Sequence, residues 1–293
     1  MAADGDACRA RLLLLGDPDY PPSLMELTDP PPFLFSYGDL SLLTRPAVAI
    51  VGTRRATPYG ERVTDALAGT LAAAGICVVS GMARGIDGVA HRAALSRGGP
   101  TVAVLGTGID LAYPDGHRSL HRAIAERGVV LSEFPCGTRP EPGWFPRRNR
   151  IIAALGRLTI VVEAGQRSGA SITARYAEEL NRDVCAVPGP VDSPQSLGTN
   201  ALIRDGAHPI LSAQDVFLLL GIADPAVRRT NVAPALAGDE RAAWDALEDG
   251  AVALDLLPER AALPAHRVLA AITALEVAGL VETLPTGEIV RRR

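Results

Sequence analysis

Val48-Ala49-Ile50-Val51-Gly52-Thr53-Arg54-Arg55 passes from four apolar residues straight into a glycine turn that carries two arginines. A run of Val and Ile without polar alternation is a strand covered on both faces, as in the interior of a parallel sheet. Residues 60–74 then read as a helix, and the pattern repeats. Apolar runs at 76–79, 101–105, 129–131, 159–162 and 184–187 alternate with helix-like segments such as 86–96. This alternation predicts an α/β fold, an extended Rossmann-like, doubly wound parallel sheet.

Open sheets of this kind take their ligands beyond the carboxyl ends of the strands, and the unusual residues fall there. The second run ends in Ser80-Gly81-Met82-Ala83-Arg84-Gly85-Ile86-Asp87 and the third in Gly106-Thr107-Gly108. The fourth ends in Ser132-Glu133-Phe134-Pro135 and the fifth in Glu163-Ala164-Gly165-Gln166-Arg167-Ser168-Gly169-Ala170-Ser171. Glycine lets backbone amides come close to an anion, and a following helix N-terminus adds its dipole. Ser168, Ser171 and Thr173 offer hydroxyl donors to the same phosphates. A tight strand-to-helix turn needs glycine in any case, so one such turn says little. Five polar or glycine-rich turns on one edge, with arginines among them, point to an extended anionic ligand.

Phe145-Pro146-Arg147-Arg148-Asn149-Arg150 stands immediately before an apolar, helix-like run at 151–155. Guanidinium groups match phosphate oxygens and stack on bases, and a phenyl ring accepts an unpaired base of any identity. The cluster therefore suits a nucleic-acid strand; the alternative is an arginine-rich helix start paired with nearby carboxylates. Asp87, Glu133 and Glu163 are the carboxylates near strand ends. They serve either as acid–base groups or as partners that hold Arg84, Arg147 or Arg150, and the second role is preferred. His91, four residues after Asp87, reads as a brace for that turn.

The 293 residues suggest about two domains; 47% are hydrophobic and 4% aromatic, enough for a large aliphatic core. The net charge is −4, so a nucleic-acid site must be a local basic patch on an acidic protein. Every basic chain is arginine; with no lysine, Schiff-base and Walker-A chemistry are excluded. Cys8, Cys77, Cys136 and Cys185 form no C-x-x-C pair, which indicates neither zinc nor a disulfide framework, and Cys77 and Cys185 read as core residues. His117 and His121 share a helical face but lack a third ligand, so no metal and no cofactor are expected. No apolar run is long enough to span a bilayer, and a cytoplasmic protein with no membrane association is expected.

The proline-rich stretch 1–45 predicts an irregular arm packed on the core through Leu24, Leu27, Phe33, Leu34 and Phe35. Residues 46–222 form the Rossmann-like domain. Residues 223–238, with Pro225, Arg228, Arg229 and Pro234, read as a linker. Residues 239–293 carry three short helices and a hairpin, a small winged-helix-like domain. Its third helix has only His266 and Arg267 as basic positions, too few to read a duplex groove.

Taken with their order, several of these stretches resemble the DNA-processing protein A (DprA, or Smf) family of natural transformation. They are Val51-Gly52-Thr53-Arg54, residues 80–87 with Ala90-His91, Tyr113-Pro114, Ser132-Glu133, residues 145–152, Val162-Glu163-Ala164, residues 168–174, Pro188-Gly189 and residues 198–203. The match runs over roughly residues 12–212. The resemblance implies a non-enzymatic homodimer that binds and protects incoming single-stranded DNA and helps load the RecA recombinase. It places Gly52, Thr53 and Arg54 on phosphate, Phe145 on a base, and Arg147 and Arg150 on the DNA backbone. Arg84, Asn149, Ser168, Gly169, Ser171 and Thr173 complete the expected DNA-binding set, Asn149 with an architectural role as its alternative. The chain departs from some members in having Pro142-Gly143-Trp144 where they carry a basic residue, and it is expected to lack their N-terminal helical domain. The alternative function is a Rossmann-like nucleotide-binding or nucleotide-hydrolysing enzyme, against which the absence of Pro-Gly-Gly-x-Gly-Thr counts.

Overall fold

Each of the six apolar runs forms a strand, and successive residues along them leave for opposite faces of one sheet, as extended backbone requires. In the computed structural model, which describes residues 10–166, 168–223, 236–247, 250–284 and 286–291, the chain makes two compact units, 1–222 and 223–293. The linker read at 223–238 falls mostly outside the described residues, as do Arg167, Arg292 and Arg293.

Strand β3 (Ala47–Val51) shows the two-sided burial directly. Ala47, Ala49 and Val51 join the apolar layer on one face, and Val48 and Ile50 join the layer on the other. The first layer includes Ile151 and Ile152 of helix α4 (Trp144–Leu155) and Ala170 and Ala174 of α5 (Gly169–Glu179). The second includes Leu67 and Leu71 of α1 (Pro58–Ala73), Ala90 and Ala94 of α2 (Ile86–Ser96) and Phe217 of α7 (Ala213–Leu220).

From β3 the chain builds outward through β4 (Cys77–Ser80), β5 (Thr101–Gly108) and β6 (Val129–Phe134), all parallel. Helix α4 then carries it back across the sheet. Strands β7 (Leu158–Val161), β8 (Asp183–Ala186) and β9 (His208–Pro209) grow in parallel from the other side of β3. The order reverses between β3 and β7, and such a reversal opens a crevice above the sheet.

Two further strands extend the sheet to nine. β1 (Arg11–Leu14) and β2 (Phe33–Gly38) come from the proline-rich stretch; β2 pairs antiparallel with β6, and β1 with β2. Composition predicts an irregular arm there; the structure instead adds two antiparallel strands to the edge of the expected parallel sheet. The prolines at 18, 21, 22, 30, 31 and 32 all lie between the two strands, so neither strand contains one. The expected packing through Leu24, Leu27 and Leu34 is present, with all three buried in the core. Cys77 and Cys185 are buried free thiols, as expected of core residues.

The second unit holds α8 (Gly238–Asp245), α9 (Leu257–Ala261), α10 (Ala265–Val277) and a small sheet in which β12 (Glu288–Arg291) lies between β10 (Val252–Ala253) and β11 (Val281–Thr283). Trp244, Leu257, Ile272 and Ile289 make its separate core. Arg267, one of the two basic positions on α10, is held by Asp239 at 2.5 Å. Among the described residues no helix is long and apolar enough to cross a membrane.

Candidate nucleic-acid interface

The crevice at the reversal is shaped by the turns after β3 and β7. Thr53 donates its backbone N–H to the Glu163 carbonyl at 2.7 Å, which ties the two turns together. Ile86 donates to the Thr53 carbonyl at 3.3 Å and brings in the turn after β4. Gly85 is required at that contact. Its φ of +74° lies in the left-handed region, and a Cβ there would stand 2.3 Å from the Thr53 oxygen.

The helices that follow β3 and β7 start at this edge in different states. At the start of α1, Glu163 accepts from the Thr57 backbone at 2.9 Å and from its hydroxyl at 2.5 Å, and the carboxylate sits where a Gly60 Cβ would be. A side-chain anion already complements that dipole. At the start of α5, Ser168 accepts from Ala170 at 3.2 Å, and Ser168, Gly169 and Ala170 border an open cavity of about 400 Å³. The start of α5 is therefore open where that of α1 is already occupied. The sequence reading gives Glu163 an arginine to hold; its partner is Thr57 instead.

Helix α4 supplies the opposite wall. Phe145, Arg148, Asn149 and Ile152 line the cavity at i, i+3, i+4 and i+7, one face of a helix. Arg148 is buried; its Nη1 donates to the Gly81 carbonyl at 2.8 Å and to that of Val104, and its Nε donates to the Asn149 side chain at 3.2 Å. Burial lowers its pKa to about 10, so it remains a cation at neutral pH. Beside it Asp87 accepts from the amides of Gly81 (3.1 Å) and Ala83 (3.4 Å) and closes the turn; burial raises its pKa against the pull of Arg148. A Cβ on Gly81 would come within 2.4 Å of Arg148 and 2.7 Å of Asp87. Asn149 donates to the Gly169 carbonyl at 3.2 Å and links α4 to α5.

Of the residues singled out from sequence, Gly52, Thr53, Arg54, Phe145, Asn149, Ser168, Gly169 and Thr173 meet around this cavity. Arg84 lines an adjoining cavity of about 300 Å³ together with Arg54, Arg55, Tyr113 and Phe145. Ser171, half-buried on α5, lines neither. Arg147 and Arg150 lie on the other face of α4, above a depression that also includes Asp29 and Tyr176. Arg150 donates to Glu133 at 2.5 Å and Arg147 stands 3.8 Å from the same carboxylate, so Glu133 holds these arginines as expected. They do not line the cavity, for a helical reason. With Phe145 facing the cavity, residues at +3 and +4 share its face and those at +2 and +5 do not. That period is present in the sequence and selects Arg148, which residue type alone does not single out. Tyr113 enters the sequence reading only through the family resemblance, and nothing local marks it as part of the site.

The histidines are committed elsewhere. His117 and His121 donate to the carbonyls of Met82 (3.0 Å) and Ile109 (2.8 Å). Thr101 gives its hydroxyl proton to Val78, so the Nδ1–H of His91, 2.7 Å away, donates to the Thr101 oxygen. His91 braces α2 against β5 rather than the Asp87 turn.

The family model for DNA recombination-mediator protein A matches residues 11–221. The chain belongs to this family. A second family model, the DprA winged helix domain, matches residues 227–287. The chain is 48% identical over 209 residues to protein Smf of Synechocystis, covering 70% of this chain and 52% of that one. It is 46% identical over 241 residues to a putative DNA processing protein DprA of Mycobacterium tuberculosis, covering 80% and 62%. It therefore spans about half to three-fifths of the length of these two relatives. Among solved structures, DprA of Streptococcus pneumoniae superposes with a TM-score of 0.70 at 42% identity, covering 72% of this chain and 74% of that one. DprA of Helicobacter pylori, described for its single-stranded DNA binding mode, gives 0.66 at 33% identity, covering 73% and 99%.

Proposed function

We propose that the protein binds single-stranded DNA across the crevice between β3 and β7 and acts in transformation and recombination as a mediator, not as an enzyme. The observation that carries this reading is the pairing of an anion-binding wall with an aromatic one. The open N-terminus of α5 and the guanidinium groups of Arg54 and Arg148 suit phosphate, and the half-buried Phe145 ring lies beside Arg54. Phosphate contacts set affinity, whereas an aromatic surface favours unpaired bases over a stacked duplex. The single-stranded DNA binding mode described for the Helicobacter pylori relative supports the same ligand.

By the same family relationship the protein protects incoming strands, works as a homodimer in the cytoplasm and delivers DNA to the RecA recombinase. The engagement of both Glu163 oxygens by Thr57 favours a structural carboxylate over a catalytic one. Competition between labelled oligo-dT and a duplex of equal length, read by gel shift at several salt concentrations, tests the proposal. Single strands are expected to win, with affinity falling steeply as salt rises. Equal affinity for duplex overturns it, and nucleotide hydrolysis abolished by Glu163→Gln overturns the non-enzymatic part.

A further inference from the structure

We infer that Tyr113 is a second base-stacking seat, taking the nucleotide next to the one held at Phe145; this rests on the single-strand reading above. The half-buried Phe145 ring has close neighbours. The Arg54 guanidinium carbon lies 5.4 Å from its centroid, and the Tyr113 ring lies 5.3 Å away at an interplanar angle of 33°. Gly106 is so close that a Cβ there would reach within 2.9 Å of the Phe145 ring. Tyr113 is the exposed member of the pair, with 42% of its surface open to solvent.

The loop that carries Tyr113 is anchored on both sides. Thr107 donates to the Leu111 carbonyl at 2.9 Å before it, and after it His117 donates its backbone N–H to the buried Pro114 at 2.8 Å and its ring N–H to Met82 at 3.0 Å. An exposed ring held this way is ready to receive a flat partner without ordering a loop first. The surroundings match a nucleotide. The 300 Å³ cavity under Tyr113 is lined by Arg54, Arg55 and Arg84, and no described carboxylate lines it. It shares Arg54, Arg55 and Phe145 with the 400 Å³ cavity, so the two adjoin as consecutive nucleotides of one strand would.

The test uses the full chain, oligo-dT and an all-abasic sugar–phosphate oligomer of equal length. Tyr113→Ala is expected to weaken oligo-dT binding about tenfold with no change in the slope of affinity against salt, because a ring contact displaces no counterion. Tyr113→Phe is expected to restore binding. In Tyr113→Trp the added fluorescence is expected to be quenched by oligo-dT and not by the abasic oligomer. If the unsubstituted chain binds oligo-dT, then affinity of Tyr113→Ala within about twofold of it, or equal quenching by the two oligomers, overturns this inference alone. A change in salt slope in Tyr113→Ala likewise overturns it, since the loss is then of the arginine arrangement. Failure of the unsubstituted chain to bind oligo-dT overturns the single-strand reading and this inference together.

Discussion

Arg150 donates to Glu133 across 2.5 Å, and the two side chains are only 8% and 6% exposed. Removing one member of such a pair leaves a buried charge without its partner. Arg150→Ala is therefore expected to lower stability by about 3–5 kcal/mol, measured by urea unfolding. Glu133→Gln together with Arg150→Met should recover part of the loss, because no net charge is then left buried. A midpoint for Arg150→Ala equal to that of the unsubstituted chain would contradict the structural role given to this arginine.

Arg54 should behave in the opposite way. It is exposed, so Arg54→Ala is expected to change stability by no more than about 0.5 kcal/mol. Affinity for oligo-dT should fall about tenfold or more, since a charge-assisted phosphate contact is lost. The slope of log affinity against log salt should shrink by about 0.7, the share of one phosphate on a single strand. Comparing Arg54→Ala with Arg150→Ala by both measurements separates the two faces of the arginine cluster.

His91 makes a pH prediction. Burial first, and then the nearby Arg148, His117 and Arg92 charges, bring its pKa down to about 3 from an ordinary 6.5. Between those values the unfolded chain takes up a proton that the folded protein refuses. Its contribution to stability is thus present above pH 6.5 and is lost as pH falls from 6.5 toward 3, by up to about 1.4 kcal/mol per pH unit. Asp87, whose pKa is raised, acts in the opposite sense and stabilises the fold as it becomes protonated. Thermal unfolding of His91→Gln across this range should show a shallower acid decline than the unsubstituted chain; parallel curves would contradict the assignment.

Arg182 holds the far end of α4. Its Nη1 donates to the carbonyls of Ala153 (3.2 Å), Ala154 and Gly156, the last turn of the helix that carries Phe145 and Arg148, and its Nη2 donates to Glu26 at 2.9 Å. A cation among C-terminal carbonyls complements both the unpaired acceptors and the dipole. Arg182→Ala is expected to cost about 1.5–3 kcal/mol and to lower the thermal midpoint. Affinity for oligo-dT measured well below that midpoint should change little, since Arg182 does not line the cavity.

Much of this architecture was legible from local pattern. The unbroken Val and Ile runs predict the parallel strands, because a strand buried on both faces has nowhere to place a polar residue. The glycine turns predict the ligand-binding edge, because only there does the backbone approach both its neighbours and an anion. The strands from the proline-rich stretch were not legible. β2 exists because β6 offers it an unpaired edge, and nothing within residues 33–38 records that partner.

For the site, the sequence by itself determined the chemical types: guanidinium, phenyl ring and glycine amide, gathered beyond one end of a sheet. Only the tertiary structure decided which of them face the same space. It turned Arg148 inward beside Phe145, gave Arg147 and Arg150 to Glu133 on the other face of α4, and spent Glu163 on the start of α1. It also carried Tyr113 from a distant loop to within stacking distance of Phe145. The physical reason is that residue type sets what a side chain can bind, whereas helix phase and the meeting of separate strand ends set what is close enough to be bound.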